Sequence, residues 1–253
     1  MTVPPVNTPE AHPGLPLLAL LPGLDGTGRL FAPLQAALAA SEQAVTVTYP
    51  EDIPLDEPAL LAWVGARLPR REPFLLVAES FSGPVAMAVA ASAPPNLLGL
   101  VLVATFAEPP RRPPRWCVRL LLPWLFRLPP PAFALRWLLL GPGAPQGLVR
   151  GLRDALRAVA PAVLAHRVRQ VLATDALAAL AAVKVPVLYL EGGKDRLVPA
   201  RCAQRIAAHL PGLERASIAA PHLLLQRTPK AALARIRAWW RAHSDRARPR
   251  PGG

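Results

Sequence analysis

Lysine is almost missing from this 253-residue chain: only Lys184, Lys194 and Lys230 stand among its 29 basic residues. Cysteine is as rare, with Cys117 and Cys202 alone, which excludes a disulfide framework and leaves no metal-binding spacing. No uninterrupted apolar run reaches membrane-spanning length. The nearest, Trp116 to Leu140, is cut by Arg119, Arg127, Arg136 and the Pro129-Pro130-Pro131 run. The stretch from Met1 to Gly14 carries Pro4, Pro5, Pro9 and Pro13 where a signal peptide would have a basic start and an apolar block. These shortages lead to the expectation of a cytoplasmic protein with ordinary reduced thiols and no metal.

What is present rules out disorder, since 52% of the residues are hydrophobic and the length suffices for a full core. The formal charge of +13 invites a nucleic-acid reading. However, few lysines beside abundant arginine, alanine and proline is the residue usage that GC-rich coding produces, and no nucleic-acid module is recognisable. The charge is therefore assigned in part to a solvated surface, and no nucleic-acid partner is expected.

Short β-rich runs alternate with helical patterns, the signature of βαβ units and a mostly parallel sheet. Strands are expected at Leu15–Leu21, Ala44–Tyr49, Phe74–Ala78, Leu97–Ala104, Val185–Glu191 and Glu214–Ala219. Helices are expected at Leu30–Ala40, Glu57–Leu68, Phe81–Ala91, Ala200–Leu210 and Lys230–Trp240. Between Ala107 and Asp175 no strand signal appears, only proline punctuation and helical segments at Leu148–Val159 and Ala162–Leu172. The expected fold class is α/β: a doubly wound, mostly parallel sheet of about six strands, with a helical lid inserted after the fourth. Residues 15–106 and 176–243 form its core, 107–175 its lid, and 1–14 and 244–253 flexible tails.

Two serines close the third strand in "LLVAESFSGPVA", Leu75 to Ala86. Parallel sheets gather their chemistry at the carboxyl ends of strands, most readily at the topological switch point. A nucleophile there needs small residues two places to either side, because the backbone doubles back on itself. Around Ser80 those neighbours are Ala78 and Ser82; around Ser82 they are Ser80 and Pro84, and proline fits poorly in the bend. Ser80 is the candidate nucleophile. A polar helix cap would also place serine here, since serine favours that position, and the local motif does not separate the two readings.

The stretch resembles the nucleophile elbow of the α/β-hydrolase family, G-x-S-x-G, with both glycines replaced by other small residues. That family orders its triad as nucleophile, acid, histidine. In "VPVLYLEGGKDRLVP" the resemblance places the acid at Asp195, and in "IAAPHLLLQRTPKAAL" it places the histidine at His222. Pro221 departs from a frequent glycine and Arg227 from a frequent acid, and neither removes the imidazole. Asp195 could simply cap a turn, and His222 could be a core-edge histidine. Among the histidines, His12, His166, His209 and His243 lie in the leader, the insert, a surface helix and a helix exit, and only His222 follows a strand. In "LLALLPGLDGTGRLF" the resemblance makes the backbone N–H of Leu24 one oxyanion donor and that of Phe81 the other. The same glycines, spaced G-x-x-G-x-G, do not make a dinucleotide cradle, which needs G-x-G-x-x-G.

The resemblance implies a serine hydrolase cleaving a hydrophobic carboxylic ester through an acyl-enzyme intermediate, with no cofactor. An acyltransferase or thioesterase with the same triad is the alternative, and a non-catalytic ligand-binding protein the weaker one. The expected lid holds Trp116, Trp124, Phe126, Phe133 and Trp137, and eleven arginines against Glu108, Asp154 and Asp175, a net +8 (11 − 3). Such a cover suits a small-molecule acyl substrate beneath it and offers weak contact with an anionic membrane surface or an acidic acyl carrier. For the membrane, the lid's own packing and solvated arginines are the favoured reading.

Overall fold

The computed structural model describes residues 14–111, 114, 122–128 and 130–247. Apolar runs build most of six strands, with charges inside only the edge strand β6 and near the end of β5: β1 (Leu17–Leu21), β2 (Ala44–Thr46), β3 (Phe74–Glu79), β4 (Leu97–Val103), β5 (Val187–Gly192) and β6 (Leu213–Ile218). They lie in the order β2-β1-β3-β4-β5-β6 with every neighbour parallel. The chain runs outward from β1 to β2, then returns to lay β3 on the other side of β1. The switch point therefore falls between β1 and β3, whose carboxyl ends carry Leu21 and Glu79.

Successive strand residues feed opposite faces, as the period of two requires. Ala19, Leu21, Leu76, Ala78 and Leu102 join one buried cluster, and Leu18, Leu20, Val77, Val101 and Val103 the other. Each fully buried Leu or Val contributes roughly 1.5–3 kcal/mol relative to exposure. The first cluster is covered by the helices α2 (Glu57–Gly65) and α3 (Gly83–Ala91), which follow the single turn α1 (Ala32–Gln35) in the chain. Asp56 caps α2, accepting the Ala59 N–H at 2.9 Å. The second cluster is covered largely by the terminal helix Pro229–Ala247, through Leu233, Ile236 and Trp239.

Two expectations are corrected. The helix expected over Leu30–Ala40 is only a 3₁₀ turn, Arg29–Phe31, and one α-turn, Ala32–Gln35. Leu30, Phe31 and Leu34 are its apolar anchors, residues 36–40 gain no buried position, and short helices need tertiary packing to persist. The chain peels off there, with the Ala39 N–H bonded to Glu42 Oε2 at 2.8 Å. At the other end the last helix runs on to Ala247, so residues 244–247 continue it rather than begin a tail. The remaining tail residues, and those before Gly14, lie outside the described residues.

Between β4 and β5 the described residues contain no strand. They form a 3₁₀ turn at Pro123–Phe126, a short α-helix at Ala132–Leu135 that continues as a π-helix over Arg136–Leu140, then the helices Gln146–Ala158 and Pro161–Ala173. Backbone bonds stitch this insert to the core: Ala160 N–H to the Glu51 carbonyl at 2.7 Å, and Leu223 N–H to the Leu139 carbonyl at 3.0 Å.

Candidate active site

Ser80 sits where β3 gives way to a 3₁₀ turn and α3. Its φ of 50° lies in the left-handed region, which costs a non-glycine residue about 1–2 kcal/mol. The surrounding structure holds it there. Its carbonyl accepts a 2.5 Å hydrogen bond from Thr105 Oγ1, at the end of β4. A Cβ on Gly83 would stand 1.9 Å from that same Oγ1, so only glycine lets α3 start this close to β4.

Ser82, two residues on, has a different use. Tyr49 Oη, whose phenol pKa is pushed up by burial, donates to Ser82 Oγ at 2.5 Å, and Ser82 Oγ donates in turn to the Pro22 carbonyl. With no exposed surface and both roles of its hydroxyl taken, Ser82 braces the loop after β1.

The loops after β5 and β6 meet through backbone bonds, Gly193 N–H to the Ile218 carbonyl at 2.7 Å and Lys194 N–H to the Ala220 carbonyl at 2.9 Å. That registry sets Asp195 against His222. Asp195 Oδ1 accepts the N–H groups of Leu197 and Val198 at 2.7 and 2.9 Å, which leaves Oδ2 to accept His222 Nδ1–H at 2.7 Å. The far nitrogen, His222 Nε2, accepts from Ser80 Oγ at 3.0 Å. Carboxylate, imidazole and hydroxyl thus form one continuous relay, drawn from three strand ends. His222 is 2% exposed and Ser80 9%. An imidazole held this way can take the hydroxyl proton while its other nitrogen stays fixed by the carboxylate.

Leu24 shares a cavity with Ser80 and His222, and Phe81 follows Ser80 directly in the chain. Gly23, on the loop after β1, lies so that a Cβ there would be 4.0 Å from Ser80 Cβ. Phe81 is in the first turn of a helix, where N–H groups have no intrahelical acceptor. Gly23, Leu24, Ser80 and His222 line one cavity of about 650 Å³, within the usual size range for small-molecule sites. Its other walls come mainly from the insert: Leu125, Leu138, Leu139, Leu152, Leu156 and Leu164. Phe126 lines the cavity, Trp124, Phe133 and Trp137 are exposed, and Trp116 lies outside the described residues.

Several residues around the site escaped the sequence reading. Glu79, buried beside Ser80, accepts from Gln226 Nε2 at 3.0 Å through Oε2, and its Oε1 has no partner among the described residues. Burial pushes its carboxyl up to about 7, against the pull of His222 and the Gln226 hydrogen bond. A glutamate closing an apolar strand was the available signal. Arg167, from the insert, is buried and bonded to the carbonyls of Leu24, Asp25 and Pro50. Burial lowers its pKa, opposed by Tyr49, Asp25 and Glu51. Nothing in the sequence distinguished it from the other arginines. Among the described residues no group of His, Cys, Asp and Glu side chains could hold a metal ion, and no helix is long and apolar enough to cross a membrane. Cys202 is buried and free, and Cys117 lies outside the described residues.

A family model described as "Alpha/beta hydrolase family" matches residues 18–236. Solved structures share the fold. A thermophilic esterase from Thermogutta terrifontis matches with a TM-score of 0.75 at 22% identity, over 91% of each chain. The enol-lactonase from Burkholderia xenovorans LB400 matches at 0.72 and 18%, over 91% of this chain and 93% of its own. A hydrolase from Pseudomonas aeruginosa PA01 matches at 0.70 and 23%, over 89% and 90%. No curated protein matches the chain.

Proposed function

The chain belongs to the alpha/beta hydrolase family, and from that premise we propose that it is a serine hydrolase cleaving carboxylic esters with a hydrophobic acyl group. One observation carries the reading: the Ser80–His222–Asp195 relay opens onto a leucine-lined cavity of about 650 Å³. The names esterase and enol-lactonase, borne by two structural neighbours, both denote ester cleavage and support the reaction class.

His222 Nε2 takes the Ser80 hydroxyl proton as Oγ attacks the ester carbonyl carbon. The carbonyl π pair moves onto oxygen, where the N–H groups of Leu24 and Phe81 receive it. Collapse of this intermediate breaks the bond to the alcohol, which leaves with the proton from His222. The acyl group now rests on Ser80. Water repeats the cycle: His222 takes its proton, the hydroxide attacks the acyl carbon, and Ser80 departs with the proton returned. Asp195 remains a carboxylate throughout and steadies the imidazolium. Loss of one oxyanion donor in such enzymes lowers turnover about 10²–10³-fold, so both N–H groups carry much of the proposed rate. In the acyltransferase alternative a second alcohol or thiol would take the place of water.

A series of nitrophenyl esters from acetate to dodecanoate tests the reading. The leucine walls predict that kcat/KM rises with chain length, with medium-chain esters outpacing acetate by about tenfold or more. Turnover should vanish in Ser80→Ala. A series that favours acetate contradicts the hydrophobic acyl assignment.

A further inference from the structure

The loop that carries the Leu24 N–H has few hydrogen bonds of its own. Gly26 N–H bonds to the Gly23 carbonyl at 3.0 Å, and the Thr27 N–H and hydroxyl bond to Asp25 Oδ2 at 3.0 and 2.6 Å. Its carbonyls at Pro22, Leu24 and Asp25 are instead met by side chains from distant parts of the chain. Ser82 donates to Pro22. Arg167 Nη1 donates to Leu24 at 2.9 Å and to Asp25 at 2.7 Å, while Nη2 reaches the Pro50 carbonyl at 2.8 Å. The guanidinium has little freedom. It lies 5.6 Å from the Tyr49 ring centroid, and it fills the space where a Cβ on Gly26 would come within 2.5 Å of Nη1.

Peptide units are planar, so a carbonyl held at one place fixes the plane that contains it. The Leu24 N–H belongs to the Gly23–Leu24 unit, and that unit lies between two held planes. Ser82 holds Pro22–Gly23, and Arg167 holds Leu24–Asp25. The middle unit has one hold of its own, the Gly23 carbonyl bonded to Gly26 N–H across the turn, and that turn is closed through the Leu24 and Asp25 peptide units whose carbonyls Arg167 grips. We infer that Arg167 is a positioning residue, whose fork fixes the Leu24–Asp25 plane and thereby aims the Leu24 N–H at the oxyanion formed above Ser80. The helical insert then does more than wall the cavity, because it completes the donor set from the far side of the loop. A planar fork with five donors suits this task, and a lysine ammonium, a single point on a flexible stem, does not.

The inference rests on the hydrolase reading, and one experiment separates the two. Wild type, Arg167→Lys and Arg167→Gln are compared in ester turnover and in affinity for a trifluoromethyl ketone, whose adduct with serine places an oxyanion at the site. The expected result is a fall in kcat of about 10–10²-fold, below the ceiling for outright loss of a donor. KM should stay within about twofold, and ketone affinity should fall in parallel with kcat/KM. Folding of each variant is verified by circular dichroism, at reduced temperature where needed. Variants that keep wild-type turnover and ketone affinity overturn the inference, even if they melt lower. So does a loss expressed in KM alone, or a failure of both variants to fold at any temperature, which would make Arg167 a structural requirement only. A wild type inert to both ester and ketone instead refutes the hydrolase reading.

Discussion

Ser80 and Ser82 stand two positions apart in one turn, and their hydroxyls meet different partners. Ser80 bonds to His222 and faces the cavity, whereas Ser82 is spent between Tyr49 and Pro22. Spacing alone favoured Ser80 through its small neighbours, so that choice was legible in the sequence. The use of Ser82 was not, because Tyr49 and Pro22 are brought to it only by the sheet. Glu79 makes a prediction at this scale. Its folded pKa of about 7 lies above the ordinary 4.5 because burial disfavours the carboxylate. The folded chain therefore binds this proton more tightly than the unfolded chain, and the stability it contributes is complete below the ordinary value. That contribution is lost as pH rises through about 7, at a cost of roughly 3 kcal/mol. Glu79→Gln keeps an acceptor for Gln226 and has no proton to lose. Thermal midpoints followed from pH 5 to pH 9 should show wild type falling relative to Glu79→Gln as the pH rises from 5 to about 7, and levelling off above that. Parallel curves would contradict the assignment.

Among the elements, the long apolar runs and capped helices were readable because their signals are local. β3, β4 and α2 fall close to their expected ranges. The helix expected from Leu30 was not readable as a single turn, since its loss follows from having buried anchors only at its start, Leu30, Phe31 and Leu34. Where the lid aromatics would face was not readable for a related reason. Composition says that an insert is apolar, not which of its faces meets the core, and leucines rather than tryptophans took the inward places. The junction of α3 with β4 offers a test at this level. An alanine methyl at Gly83 must displace Thr105, whose hydroxyl braces the Ser80 carbonyl. Overpacking of this kind costs about 1–3 kcal/mol, and the lost hydrogen bond adds about 1 kcal/mol. Urea denaturation of Gly83→Ala should show that loss, accompanied by reduced ester turnover. An unchanged midpoint would mean that the contact relaxes without strain.

In the whole molecule, a sheet that gathers three strand ends is joined to an insert that supplies most of the cavity wall and one buried arginine. The order serine, aspartate, histidine along the chain was the feature that made the site legible, because parallel strands deliver their carboxyl ends to one edge. Arg167 was invisible for the opposite reason: its partners are backbone carbonyls, which carry no sequence signature. The convergence of Ser80, Asp195 and His222 on that cavity is the claim on which the other assignments depend. It is tested most directly by treating the protein with a fluorophosphonate and mapping the adduct by peptide mass spectrometry. The expected result is a single covalent adduct on Ser80, absent in Ser80→Ala and strongly slowed in His222→Ala. An unlabelled protein, or an adduct carried by Ser82, would contradict it.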